Sequence, residues 1–209
     1  MGDKPLNRSY NRAEVIIVYK TKDHFGGLSN MASGYPLLIN GIRILTAEAL
    51  YQACRYPLIP QLQREIIGEY SPMTAKMKSK PNRYLTRPDW DDVRYKIMRW
   101  CLRVKLAQNY EAFSNLLVAT KDLPIVEQSR KDDYWGAKPD ETNDTLLIGQ
   151  NVLGRLLMEL RELIRTDSNE MLKTVSPPNI PDFLLIGKQI GIVSDGEQKA
   201  NISPQSPLF

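Results

Sequence analysis

The sequence predicts an α+β fold, a mostly helical single domain around a small antiparallel β element. Three observations predict it. Apolar residues recur at helical spacing over several segments between residues 47 and 166. Runs with strand character are short and few, chiefly Val15 to Tyr19 and Tyr35 to Ile44. A chain of 209 residues, 42% of them hydrophobic, is long enough for one full core and short for two.

Residues 1–12 are polar and are expected to be a flexible N-terminus, ahead of a domain over 13–166. The β-branched run Val15-Ile16-Ile17-Val18-Tyr19 predicts the first strand, and the chain then turns at Gly26-Gly27. Between Tyr35 and Ile44 two apolar runs flank Asn40-Gly41, a pair that readily takes the positive φ angles of a tight hairpin. Thr46 caps a helix from Ala47 to about Tyr56, where Pro57 ends it. Helices follow over 60–69 and 72–79, the second entered through Ser71-Pro72 with proline at the first helical position. The best helix covers 89–109, with Val93, Ile97, Cys101 and Val104 on one face. A shorter one covers 111–120, and Leu123 to Glu127 reads as an extended segment. The last helix, 151 to about 165, buries Leu153, Leu156, Leu157, Leu160 and Ile164. From 167 to 209 the composition shifts to Ser, Pro, Asn, Gly and Gln. This extension is expected to dock through Phe183 to Ile186 and Ile190 to Val193 and to end in disorder. No internal repeat is evident.

Composition narrows the function. No run of about eighteen apolar residues is present, and the first residues lack the apolar stretch of a secretory signal, so a soluble cytoplasmic protein is expected. His24 is the only histidine, and Cys54 and Cys101 have no further ligand at useful spacing. A zinc site or a Cys-His nucleophile pair is therefore not expected, nor is a cofactor. A net charge of +4 and a pI near 9.0 suit a nucleic-acid partner without requiring one.

The candidates for chemistry are carboxylates, an aromatic plate and glycine turns. Glu48 lies in the first turn of its helix, where the helix field holds a carboxylate ionised; such a group steadies the positive charge on a sugar as its anomeric bond breaks. The alternative is plain helix-end electrostatics. Glu127, Asp132 and Asp133 offer a general acid or base, or acceptors for ribose hydroxyls, with Trp135-Gly136 beside them as a stacking plate. The alternative is a solvated loop with Trp135 in the core. Gly26, Gly27, Ser29 and Asn30 form an amide-rich turn that an anion can approach, or an ordinary loop. Asn151 as cap and Gly154 in the first turn would leave helix amides open to phosphate, or would serve only capping and packing. Lys20 and Lys22 bring amines able to form a Schiff base with an open-chain ribose, or are simply solvated. Basic residues from Lys76 to Lys105 alternate with Tyr84, Trp90, Tyr95 and Trp100, a pattern shared by nucleic-acid surfaces and amphipathic helices.

Taken jointly and in order, these residues make the chain resemble the NADAR family, which includes the YbiA-like N-glycosidases. The resemblance runs from about Ile16 to Leu163. It rests on Tyr19-Lys20, Gly27-Leu28-Ser29-Asn30, Gly41, Thr46-Ala47-Glu48, Tyr51-Gln52-Ala53, Ser71-Pro72-Met73, Trp90, Glu127, Asp132 with Tyr134-Trp135-Gly136, Asn151, Leu153-Gly154, Leu157-Met158 and Arg161. It implies an α+β fold and cleavage of an N-glycosidic bond, either in phosphoribosylated riboflavin intermediates or between ADP-ribose and guanine. It implies that Glu48, Asp132 and Trp135 line the pocket and that Lys20 matches a lysine of ADP-ribose-processing members.

The expected site is then Glu48, Lys20 and Asp132 for catalysis, with Gly27, Ser29, Asn30, Gln52, Glu127, Tyr134, Trp135, Gly136, Asn151 and Gly154 holding the ligand. Where YbiA-like members tend to read Glu-His-Tyr-Phe-Gln-Ala-Gln-Lys, this chain reads Glu48-Ala49-Leu50-Tyr51-Gln52-Ala53-Cys54-Arg55, and Ala137 replaces a second glycine after Trp135-Gly136. These departures turn the expectation from riboflavin intermediates toward ADP-ribosylated guanine in DNA. The partners then expected are the modified DNA and a cognate ADP-ribosyltransferase toxin encoded nearby, to which the chain is the antitoxin.

Overall fold

The computed structural model describes residues 7–168 and 170–195. In chain order these form β1 (Arg8–Asn11), β2 (Ile16–Val18), β3 (Leu37–Ile39), β4 (Ile42–Ile44), α1 (Ala47–Ala53), α2 (Pro60–Ile67), α3 (Pro72–Ser79), α4 (Trp90–Gln108) and α5 (Tyr110–Val118). There follow β5 (Ile125–Glu127), β6 (Lys138–Pro139), β7 (Leu146–Gly149), α6 (Val152–Thr166), β8 (Thr174–Val175), β9 (Leu184–Leu185), β10 (Lys188–Gln189) and β11 (Val193–Ser194), with short 3-10 turns between. The fold is α+β. The chain divides into two compact units, one from Met1–Ala32 with Glu111–Ser168 and the other from Ser33–Tyr110 with Asn169–Phe209. Neither is continuous in sequence: 33–110 interrupts the first, and 111–168 interrupts the second.

The first unit carries a three-stranded sheet in the order β1, β7, β6, and a separate pair in which β2 runs parallel to β5, Ile16 opposite Ile125. Val126, Ala137 and Leu147 are fully buried, with Tyr10, Val15 and Ile17 packed on them. α6 lies against β5 and buries Leu153, Leu156, Leu157 and Leu160, the face its periodicity predicts; Ile164 is half-buried. Arg161 is only 4% exposed on that face. Its guanidinium donates to Thr120 Oγ1 and to the Leu123 carbonyl, each at 2.8 Å, which is why a charge is tolerated there.

Asn151 joins these parts. It adopts a left-handed backbone, φ 49° and ψ 48°, and its side chain makes no cap bond to the helix. Its Nδ2 donates to the Ile125 carbonyl at 2.8 Å and its Oδ1 accepts from the Glu127 amide at 3.0 Å, so one amide brackets β5. Gly154 makes room for this arrangement. A Cβ there would stand 2.1 Å from the Ile125 carbonyl and 2.5 Å from the Asn151 side chain.

The second unit is built on α4. The β3–β4 hairpin turns at Asn40 and Gly41 with φ of 53° and 77°, as the Asn-Gly signal predicts. Gln108 near the end of α4 accepts from the Leu38 amide at 2.8 Å and returns a bond to the Leu38 carbonyl at 2.9 Å, pinning the hairpin. α1, α2 and α3 pack on one another, and α1 on α4. Phe183, Leu185, Ile190 and Val193 are buried, with Phe183 edge-on to Trp100 at 4.8 Å. The expected disordered end of the chain lies outside the described residues.

Three features differ from the sequence reading. Residues 8–11, expected to be flexible, form β1 against β7, because their partner lies more than a hundred residues on and no local pattern announces it. The β2–β5 pair is parallel: more than a hundred residues, including 33–110 of the second unit, lie between these strands in the chain, so no hairpin joins them. α1 stops at Ala53, three residues early, as Arg55 and Tyr56 bond three residues back, to Gln52 and Ala53, in a closing turn.

Asn151→Ala is expected to lose about 2–4 kcal/mol of stability, since two buried backbone groups lose partners at about 1–2 kcal/mol each. Asn151→Asp, which sets a carboxylate oxygen against the Ile125 carbonyl at a buried position, should be no more stable than the alanine variant. Urea unfolding measures both, and an alanine variant within the error of wild type would mean that the bracket does not hold the unit.

Candidate functional site

The candidate residues fall in two places, and each is described within its own unit. In the second unit the Thr46 hydroxyl accepts from the Ala49 amide, starting α1 and setting Glu48 in its first turn. One helical turn on, Gln52 Nε2 donates to Glu48 Oε1 at 2.9 Å. Both side chains are 6% exposed, so Glu48 is a nearly buried carboxylate held by a neutral donor. A helix-end charge with no other task is normally solvated; this one is not.

Further groups surround it. Burial, then the negative Glu48, push the Tyr51 phenol well above its ordinary range, against the opposing pull of Arg55 and Arg94. Burial, then Cys54 and Glu48, push the Cys101 thiol up in the same way. Tyr51 and Cys101 are thus neutral at physiological pH, and neither is a nucleophile. Trp90 lies 5.1 Å from Tyr51, and the Arg55 guanidinium sits 4.5 Å over its ring. Tyr51, Arg55 and Arg94 were not among the expected site residues. Only the spacing of Tyr51 and Arg55 from Glu48 along α1, three and seven residues, could have found two of them.

In the first unit the loop from Ser129 to Gly136 is tightly organised. Ser129 Oγ accepts from the amides of Lys131 and Asp132 at 3.2 and 3.0 Å. Asp132 Oδ1 accepts from the amides of Tyr134 and Trp135 at 3.0 and 2.9 Å. Asp132, expected as a catalytic acid or base, thus spends this oxygen on shaping the loop. Asp133 pairs with Lys138 at 2.8 Å, and that bond holds its carboxyl below the usual range. Tyr134 and Trp135 stand edge-to-face at 4.9 Å, half-buried. A Cβ on Gly136 would lie 2.5 Å from the carbonyl of Glu127, itself half-buried at the end of β5.

Three amides at the start of α6 are taken up within the protein. Those of Asn151, Val152 and Leu153 donate to the carbonyls of Gly136, Tyr134 and Trp135, each at 3.0 Å. The helix start and the acid-aromatic loop close on each other, and Asn151, fully buried at the cap position, makes no side-chain cap bond. The Asn151 side chain and the amides of residues 151–153 are bonded within the protein, and Gly154 packs against β5.

Lys20 is exposed at the end of β2. Its amide donates to Asp23 Oδ2 at 3.2 Å and its carbonyl accepts from the Asp23 amide at 3.0 Å, which fixes the backbone that carries the amine. Gly26 closes this turn: a Cβ there would lie 2.4 Å from the Lys20 carbonyl. Gly27 is half-buried, whereas Ser29 and Asn30 are 6% and 3% exposed. Ser29 Oγ accepts from the Met31 amide at 3.2 Å.

Residues 17–165 match the family model of the NADAR domain, well over half of the chain. The chain belongs to the NADAR domain family. The NADAR domain here is 36% identical over 148 residues to N-glycosidase YbiA of Escherichia coli strain K12, covering 71% of this chain and 87% of that protein. It is 31% identical over 157 residues to riboflavin biosynthesis protein VVA0006 of Vibrio vulnificus, spanning 74% of this chain and 40% of the longer relative. The NMR structure of E. coli YbiA superposes with a TM-score of 0.60 at 32% identity, over 75% of this chain and 92% of that one. Among the described residues no helix is long and apolar enough to cross a membrane.

Asp132→Asn keeps an oxygen at the Oδ1 position and is expected to preserve the near-ultraviolet signal of Trp135. Asp132→Ala should alter that signal and cost about 1–3 kcal/mol for the stranded loop amides. An alanine variant with an unchanged spectrum and melt would remove the loop-shaping role.

Proposed function

We propose that this protein is a metal-independent hydrolase of N-glycosidic bonds that removes ADP-ribose from guanine bases in DNA, as antitoxin to a DNA ADP-ribosyltransferase. The observation that carries the glycosidase reading is the buried Glu48 carboxylate held by Gln52, in a NADAR domain 36% identical to a protein named N-glycosidase. Breaking the bond sends its electron pair to the departing base nitrogen and leaves positive charge on the ribose. A carboxylate whose geometry is set before the reaction stabilises that charge without reorganising. Water then adds to the anomeric carbon, giving free ADP-ribose and the unmodified base.

Lys20 adds a covalent route. Its exposed amine adds to C1 of the ribose as the C1–N bond to the base and the ring C1–O bond break, the amine's two protons passing to the base nitrogen and the ring oxygen. Water then hydrolyses the resulting imine and frees the lysine and ADP-ribose. Trp135 and Tyr134, half-buried and fixed by Asp132, offer ring faces to the base or the adenosine. The DNA substrate is supported by the basic balance of the chain and by its departures from the YbiA-like pattern, in which Cys54 and Arg55 replace Gln-Lys. A second reading, a glycosidase of phosphoribosylated riboflavin intermediates, is favoured by the names of the Vibrio relative and of a similar maize protein, "Riboflavin biosynthesis protein PYRR, chloroplastic".

With a chelator present, purified protein is expected to release ADP-ribose from guanine-modified DNA. Turnover of riboflavin intermediates alone would select the second reading, and tight ADP-ribose binding with no turnover of either would make the protein a reader. Glu48→Gln should lose at least a hundredfold in rate, about 3–4 kcal/mol, with the fold intact; near-normal turnover would return Glu48 to a structural charge.

Borohydride added during turnover should leave ADP-ribose on Lys20, as peptide mapping would show. Lys20→Ala and Lys20→Arg should both abolish trapping, since arginine keeps the charge but does not readily form the imine. An active arginine variant, or an adduct on Lys22, would displace Lys20 from this role.

A further inference from the structure

The second unit holds a cavity of about 360 Å³ between α4 and the segment that leaves β8. Lys96, Arg99 and Arg103 line one side, with Tyr95 beside them; Pro177 and Pro178 line the other. On a 3.6-residue helix the three cations fall within about 60° of one another, while Cys101 lies roughly 140–160° away. Cys101 is the α4 residue that senses Glu48. The cationic groove therefore occupies the face of α4 turned away from the candidate catalytic carboxylate and is a separate site.

Its walls are held in place. Trp100 also lines the cavity, is 3% exposed, and meets Phe183 edge-on. The Ile180 amide donates to the Pro178 carbonyl at 2.9 Å. Buried Arg87 donates to the Pro181 carbonyl at 2.7 Å while its fork engages Asp89, Nη2 to Oδ2 at 2.9 Å. Two consecutive prolines, Pro177 and Pro178, restrict the backbone that leads into these anchors, so the groove needs little ordering when it is filled.

Three basic side chains on one helix face match a row of phosphate oxygens, and an aromatic ring with proline faces suits the flat side of a base. The volume is that of a small-ligand pocket. We propose that this groove binds a phosphorylated nucleotide, either free or as one unit of a nucleic-acid strand. The site stands on the geometry of the second unit and does not depend on the glycosidase reading.

The test uses full-length protein and an unmodified, fluorescein-labelled single-stranded DNA 12-mer, followed by anisotropy at several salt concentrations, with ADP as a competitor. Wild type is expected to bind. Lys96→Glu with Arg103→Glu should weaken binding at least tenfold and flatten the dependence of log K on log salt by about 1–2, for roughly two lost phosphate contacts. Lys76→Glu with Lys80→Glu removes equal charge from exposed positions elsewhere and should change little. Lys96→Gln with Arg103→Gln serves if the glutamate pair misfolds.

Displacement by micromolar ADP would identify a free nucleotide as the occupant, and binding that resists ADP would identify the strand. Equal weakening by both charge reversals would reduce the effect to overall charge and overturn the proposal, as would failure of both DNA and ADP to bind at low salt. Because the DNA carries no ADP-ribose, a protein that binds here but never turns over would sink the glycosidase and leave the groove standing.

Discussion

The first unit depends on one buried amide. Asn151 brackets β5 with its side chain, and its left-handed backbone aims the start of α6 at the loop that carries Tyr134 and Trp135. Only a residue that tolerates positive φ and offers both a donor and an acceptor does this, which leaves asparagine. The amides of Asn151, Val152 and Leu153 each find a loop carbonyl, and glycine is required at 154 and 136 because a Cβ there would strike the carbonyls of Ile125 and Glu127 in β5. A helix start commonly used for anions is here spent on shaping an aromatic-bearing loop.

The second unit pays for burying a charge. A carboxylate taken out of water costs free energy unless hydrogen-bonded, and Glu48 receives one such bond from Gln52 with two arginines acting on the neighbouring Tyr51. Stability alone would favour an apolar side chain at this position of α1. Tyr51 and Cys101 are held neutral around Glu48.

Much of the site was legible because its parts are local in sequence. Thr46, Glu48 and Gln52 lie within seven residues, and capping and i,i+4 spacing alone place them together. The run from Asp132 to Gly136 was legible as a turn, but the task of Asp132 was not, since an Asp that accepts from amides two and three residues on looks in sequence like one that faces a substrate. Among the basic residues from Lys76 to Lys105, helical spacing did not separate the cations. Lys105 is fully buried over Tyr35, whereas Lys96 and Arg103 line a groove closed by a segment more than seventy residues away.

The sequence by itself determined the helices, the caps at Thr46 and Ser71 and the Asn40-Gly41 hairpin, because backbone propensity, capping and turn chemistry act over a few residues. It also carried the family, through short motifs kept in order. Tertiary structure alone decided that Arg8–Asn11 is a strand, that β2 and β5 run parallel, and that the Asn151 side chain brackets a strand while its own helix gets no side-chain cap. Each of these depends on a partner from twenty-four to well over a hundred residues distant, and a hydrogen-bonding group does not reveal its partner until the chain has closed on it.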